Sequence, residues 1–190
     1  MKNQIKIRLV VAAIAGLLIA SQGCKGKDPI PAPPNNNETE LITTVTLIFT
    51  DSANSNDLRF ATFNDPDGEG GNGPTQFDTV KLKANSTYTC EILLLDKSKN
   101  PVDTVSNQVK KENNDHQFFF HTHIADVEFN YLDFDTHTPP LPVGLSTKWR
   151  TKSAGKGYVH VILKHQPDVK NGTLDPGETD AEVEFPIVLE

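Results

Sequence analysis

Two groups of side chains have the types and spacing that ion binding requires. Asp65, Asp67 and Glu69 alternate within the run Asn64–Pro74 (NDPDGEGGNGP), as do positions 1, 3 and 5 of a calcium loop. Gly68 and Gly70 permit tight turns between them. Calcium seeks about six to eight hard oxygen ligands. The run supplies three carboxylates, backbone carbonyls and Asn72. It is not an EF-hand, because the position of the bidentate Glu is occupied by Gln76. Calcium at Asp65, Asp67 and Glu69 would act as a structural clamp. The competing reading is an acidic, glycine-rich strand connection, since Gly and Asp dominate turns with or without an ion. A second acidic loop, Asp168–Asp180, offers Asp175, Glu178 and Asp180. Its Asn171-Gly172 and Pro176-Gly177 steps read as turns. If the two loops meet at one end of the domain, a shared ion follows more readily.

The other group is histidine. His121 and His123 lie two apart, so in a strand they project from one face. That spacing suits zinc or copper, with a third ligand from His116, His137, His160 or His165. His160 and His165 fall on opposite faces of one strand, so they cannot both join. No HExxH and no cysteine-based metal pattern accompanies them, and the plain alternative is a polar strand end. Cys90 shares one strand face with Tyr88 and Ile92 and reads as a buried small hydrophobe. Phe118-Phe119-Phe120 reads as core in a strand covered on both faces.

Catalytic signatures are absent from the sequence. There is no GxSxG, no phosphate-cradling Gly-Lys-Ser/Thr loop and no dinucleotide fingerprint. Carboxylates are plentiful, so a carbohydrate-active enzyme using two loop acids about 5–9.5 Å apart stands as the rival class. With 18 Lys+Arg against 25 Asp+Glu, the net charge of −7 argues against a nucleic-acid partner.

The elements that position these residues read as strands. Leu41, Thr43, Val45, Leu47 and Phe49 alternate with polar residues, and Ala181, Val183, Phe185, Ile187 and Leu189 do the same. Between them lie strand-like runs at Asp57–Phe63, Thr79–Lys83, Thr87–Asp96, Gln117–Thr122, Val127–Phe134, Leu145–Thr151 and Gly157–His165. That makes about nine strands, joined by Gly/Pro/Asn/Asp-rich turns. Val105–Asn113 is poor in β-branched residues and fits a short helix. Pro186 implies an edge or a bulge in the last strand. The fold class is therefore all-β: an antiparallel, immunoglobulin-like β-sandwich over residues 41–190, with a lipocalin-like β-barrel as the alternative.

The N-terminus carries an address. Lys2, Lys6 and Arg8 precede the apolar run Leu9–Ala20, which is too short for a span of about 20 residues and suits a signal peptide over residues 1–23. Ser21-Gln22-Gly23-Cys24 follows and resembles a bacterial lipobox, departing from it at Ser21, where Leu is usual, and at Gln22. Cys24 would then be acylated and become the new N-terminus; the competing reading is a secreted protein with an incidental cysteine. Residues 24–40 form a Pro/Asn-rich tether, able to span up to about 50 Å at about 3.1 Å per residue.

On Leu41–Asp51, Asp65–Pro74, Leu82–Tyr88, Asp115–Phe120, Lys164–Pro167 and Gly177–Phe185, the chain resembles a family of small Bacteroidota lipoproteins, some loosely labelled periplasmic binding domains. The strand pattern argues against that label, because such folds alternate strands and helices in two lobes. The resemblance implies location and length, and no reaction. The function expected is a lipid-anchored, outer-membrane, noncatalytic binding or interaction module facing the periplasm or the cell surface. Its partners would be the membrane, through the acyl group, and a protein or glycan. Calcium is its candidate cofactor, and a histidine-based transition-metal or haem protein is a further alternative. Asp51-Ser52-Ala53, Asp78-Thr79-Val80 and Asp103-Thr104-Val105 resemble short bacterial O-glycosylation acceptors.

Overall fold

After residue 40, β-branched and aromatic residues alternate with polar ones, and each such run forms a strand. The computed structural model describes residues 41–68, 70–123 and 125–190. The expected signal peptide over 1–23, Cys24, the whole of the expected tether over 24–40 and Glu69 lie outside the described residues. The described elements, in chain order, are β1 (Thr44–Asp51), β2 (Asn54–Asn64), β3 (Gln76–Phe77), β4 (Val80–Leu82), β5 (Thr87–Leu95), α1 (Val105–Lys111), β6 (His116–His123), β7 (Val127–Tyr131), β8 (Ser146–Thr151), β9 (Gly155–His165) and β10 (Glu178–Leu189).

The strands make two sheets, ordered β3-β2-β1-β5-β8-β7 and β4-β10-β9-β6. Neither closes on itself, so the molecule is the two-layer sandwich and not the barrel. Its pairings are antiparallel with one exception: β4 runs parallel to β10, through Val80↔Ile187 to Leu82↔Leu189. A parallel pair cannot be joined by a hairpin, and here α1 and the strands β5 to β9 lie between the two.

Alternation decides which side chains meet between the layers. Val45, Leu47 and Phe49 of β1 face Val159, Val161 and Leu163 of β9 and Val183, Phe185 and Ile187 of β10 in one core. Trp149 of β8 lies at its centre, fully buried. Its ring meets Phe49 and Phe129 edge-on at 4.9 and 4.7 Å, and its indole N–H donates to Thr147 Oγ1 at 2.9 Å. Cys90 is a free thiol without exposure, and burial pushes its pKa well up. Phe118 and Phe120 enter the core, whereas Phe119 faces the other way and is buried beside its register partner Ile162.

The nine expected strands are all present. The tenth, β3, is two residues long and too short for alternation to register; its Phe77 packs edge-on against Phe63 and Phe185. The helix covers Val105–Lys111 and buries Val105 and Val109, one turn apart. Pro186 corrects one expectation, for β10 is an inner strand. The β4 ladder starts at Ile187, so at Pro186 β10 is flanked by β9 alone and is an edge only locally. The bulge falls elsewhere: Thr179 pairs with Lys164 and Ala181 with Leu163, leaving Asp180 as the extra residue.

Candidate functional site

β6 begins and β9 ends at the same end of the four-stranded sheet. Antiparallel register therefore sets His116 opposite His165. Their rings stack with centroids 4.5 Å apart and planes within 5°. The bulge in β10 turns Asp180 toward them, as bulges do when they re-aim a side chain. Asp180 Oδ2 lies 3.5 Å from His116 Nε2, and these two side chains are 4% and 2% exposed. On the other side of the ring, His116 Nδ1 is 3.0 Å from the Glu112 carbonyl. Only a protonated nitrogen can bond a carbonyl oxygen, so Nδ1 carries a hydrogen. Among the described residues, His116, His165 and Asp180 are the one trio of metal-ligating side chains whose donor atoms all lie within 4.8 Å of one another.

The chain leading into the bulge is held by buried polar groups. Gln166, fully buried, donates its amide to the carbonyls of Thr173 and Pro176 at 2.9 and 2.8 Å. Lys164 donates to the Gly177 carbonyl and to Thr179 Oγ1 at 3.0 and 3.2 Å. Farther along, Lys170 reaches the Asn113 carbonyl at 2.7 Å and Asp135 Oδ2 at 2.9 Å, with both ionic side chains almost wholly buried. Asp135 also accepts hydrogen bonds from the backbone N–H groups of His137 and Leu141, and its Oδ2 lies 2.8 Å from His137 Nδ1. Burial opposes ionisation of Asp135, yet the Lys170 ammonium and these donors outweigh it and hold its pKa at about 2.

The two acidic loops meet. Asp65 and Gly68 of the first and Thr179 and Asp180 of the second line one pocket of about 740 Å³, together with Leu41 and Glu182. Asp65 Oδ1 is buried there and accepts no hydrogen bond. Asp67 is spent differently: its Oδ2 accepts the backbone N–H and side-chain amide of Asn72 at 2.8 and 2.7 Å. Those bonds, the backbone one foremost, lower its pKa. Of the other acids in the second loop, Asp175 and Glu178 are exposed.

His121 and His123 share the outward face of the four-stranded sheet, both exposed, as alternation requires. His160 stands opposite His121 in register, and its Nε2 lies 2.7 Å from Glu182 Oε1. His116 and His165 face inward, and His137 sits beside Asp135. Of the proposed third ligands, only His160 is on the face of the pair. Sequence reasoning passed over the His116–His165 pairing. Its signal was available, because each residue stands at a terminus of a strand and an antiparallel neighbour would align them. Asp180 had no such signal, since a bulge is invisible to alternation.

The outward face of the six-stranded sheet is unlike either acidic loop. Cross-strand rows run Leu58–Thr50–Thr89, Phe60–Ile48–Glu91 and Thr62–Thr46–Leu93. Phe60 and Leu58 are 57% and 51% exposed. At the edge of this sheet Lys83 bridges Asp51 and Asp57 at 3.3 and 2.7 Å, while Arg59 holds Asp57 at 3.1 Å. The Arg59 and Lys83 bonds bring the pKa of Asp57 to about 2. No helix among the described residues is long and apolar enough to cross a membrane. No protein-family model, curated protein or solved structure matches the chain.

Proposed function

We propose that the protein is a lipid-anchored binding module of the bacterial cell envelope, held at the outer membrane through Cys24 and working by contact, without catalysis. The observation that supports this most is the outward face of the six-stranded sheet. A broad sheet surface exposing Phe60 and Leu58 among threonine hydroxyls offers an aromatic plane, apolar area and hydrogen-bonding groups together, which suits a glycan or a protein surface. The carboxylates point the same way. Among the described residues, every displaced carboxylate pKa moves down, at Asp51, Asp57, Asp67, Asp96, Glu128 and Asp135. A proton-donating catalytic acid needs the opposite shift.

Calcium is proposed as a clamp on the loop at 64–74, drawing on Asp65 and Glu69, with Asp67 shared between the ion and Asn72. A thermal melt with calcium and with chelator tests that part; an unchanged midpoint removes it. The contact surface is tested by calorimetric titration of the purified chain against a panel of soluble bacterial envelope polysaccharides and outer-membrane protein ectodomains. Phe60→Ala is expected to weaken whichever binding appears by about tenfold, the worth of an aromatic contact of about 1.4 kcal/mol. Binding that Phe60→Ala and Leu58→Ser both leave untouched would move the contact off this face.

A further inference from the structure

The buried trio at the end of the four-stranded sheet supports a conclusion that does not depend on the reading above. We propose that His116, His165 and Asp180 bind one transition-metal dication of the zinc class.

Three features of the trio meet the needs of such an ion. Its chemistry is right: imidazole nitrogens suit zinc, whereas calcium and magnesium take oxygen ligands. Its surroundings are right as well. A metal-ligating histidine donates its other ring N–H to an acceptor that fixes the tautomer, and His116 Nδ1 has the Glu112 carbonyl at 3.0 Å. That leaves Nε2 as the atom directed at Asp180.

The distance is the third feature. The His116 Nε2 to Asp180 Oδ2 separation of 3.5 Å is long for a bond between imidazolium and carboxylate, which is about 2.7–2.9 Å. It is close to the separation of about 3.3 Å between two ligands on a tetrahedral ion with bonds of about 2.0–2.1 Å. His165 supplies the third nitrogen. The parallel rings send their in-plane lone pairs alongside one another, so His165 must turn to converge on the ion. Among the described residues the stack with His116 is the contact that orients its ring, and binding would trade that stack for the metal bond.

Asp180 connects the trio to solvent. It lines the pocket of about 740 Å³ whose walls also carry Asp65 and Glu182. Those acids attract a cation to the opening, and the unpartnered Asp65 Oδ1 adds a further oxygen there. Three protein ligands leave one position for water.

The experiment uses untagged full-length protein, stripped with chelator and dialysed. Added zinc is expected to bind at one ion per chain by calorimetry. At a hundredfold excess over Kd it is expected to raise the melting midpoint by about 5–10 °C. Cobalt(II) is expected to give the strong visible absorption of a four- or five-coordinate site. His165→Gln and Asp180→Asn should each abolish the zinc shift, and the surface variant His121→Ala/His160→Ala should keep it. A wild-type chain with no zinc shift overturns the proposal. So does a shift that the surface variant loses and His165→Gln retains. If both buried variants fail to fold, the wild-type cobalt spectrum decides alone, and the weak spectrum of a six-coordinate, solvated ion overturns it.

Discussion

Lys170 brings its ammonium to a place where 1% of the side chain meets water, against an Asp135 carboxylate with no exposure. Burying two charges costs several kcal/mol each, and only their mutual bond with full hydrogen bonding offsets that. Asp135 has such bonding from Lys170, His137 and Leu141. Removing one partner should therefore cost far more than removing both. Lys170→Met is expected to lower the unfolding free energy by about 3–5 kcal/mol, and Asp135→Leu/Lys170→Met by less, as read in urea titrations. Acid should tell the same story. Asp135 has a pKa of about 2 in the folded chain against 3.8 ordinarily. Its contribution is full above pH 4 and is lost as pH falls from about 4 toward about 2, because the unfolded chain takes the proton first. Asp57 titrates over the same window. Its partner Lys83 is half exposed, so 1 M salt should flatten the Asp57 part and spare the Asp135 part. Stability against pH for Asp135→Asn and Asp57→Asn, at low and high salt, checks this. A wild-type curve that is flat between pH 4 and 2 would refute it.

At the level of strands and turns, the bulge in β10 does more for the candidate site than any of its neighbours. Gly177 sits at φ +78° immediately before the strand that carries it. A β-carbon there would run into the His165 carbonyl and the Gln166 backbone. Gly177→Ala is expected to cost about 2–3 kcal/mol, from left-handed strain and a clash against backbone that cannot yield. Gly73→Ala, with open space around the position, should change little. Melts of the two variants make the comparison, and equal midpoints would show that the bulge does not need its glycine. The same contrast explains what the sequence disclosed. Period-two runs such as Leu41–Thr50 and Gly157–His165 announced their strands, because a half-buried sheet face imposes alternation whatever its partner is. Alternation says nothing of which strands pair. The parallel β4–β10 contact was therefore out of reach, and the His116–His165 register could be had only by first assuming that β6 and β9 are antiparallel neighbours. Asp180 was visible as an acid in a loop, but its direction comes from a one-residue slip that only the β9 partner reveals. Asp65 was singled out for calcium beside Asp67. In the fold Asp65 lines the pocket and Asp67 accepts from Asn72, partners that alternation along the loop does not announce.

Considered as a whole, the chain is acidic, and the proposed anchor makes it more so. Cleavage before Cys24 would remove three of the 18 basic residues and none of the 25 acidic ones, taking the net charge from −7 to −10. Anionic headgroups repel such a body, so electrostatics cannot hold it to a membrane. Acyl chains can, at about 0.8 kcal/mol per buried CH₂, and chains acting together give stable anchoring where one gives only a reversible hold. Anchoring by lipid alone makes a prediction about salt. Raising ionic strength weakens charge-held proteins and leaves lipid-held ones in place. Membranes from cells expressing the wild-type chain should retain it through a 1 M salt wash and release it only to detergent. On the proposed anchoring, Cys24→Ala would block acylation, and that chain is expected in the soluble fraction or still carrying its leader. Mass spectrometry of the detergent-extracted wild type should find a polypeptide beginning at Cys24 and heavier by its fatty acids. Release by salt alone, or a native N-terminus at another residue without acyl mass, would leave the domain a free secreted sandwich. Its contacts would then have to be strong enough to work without the concentrating effect of a surface.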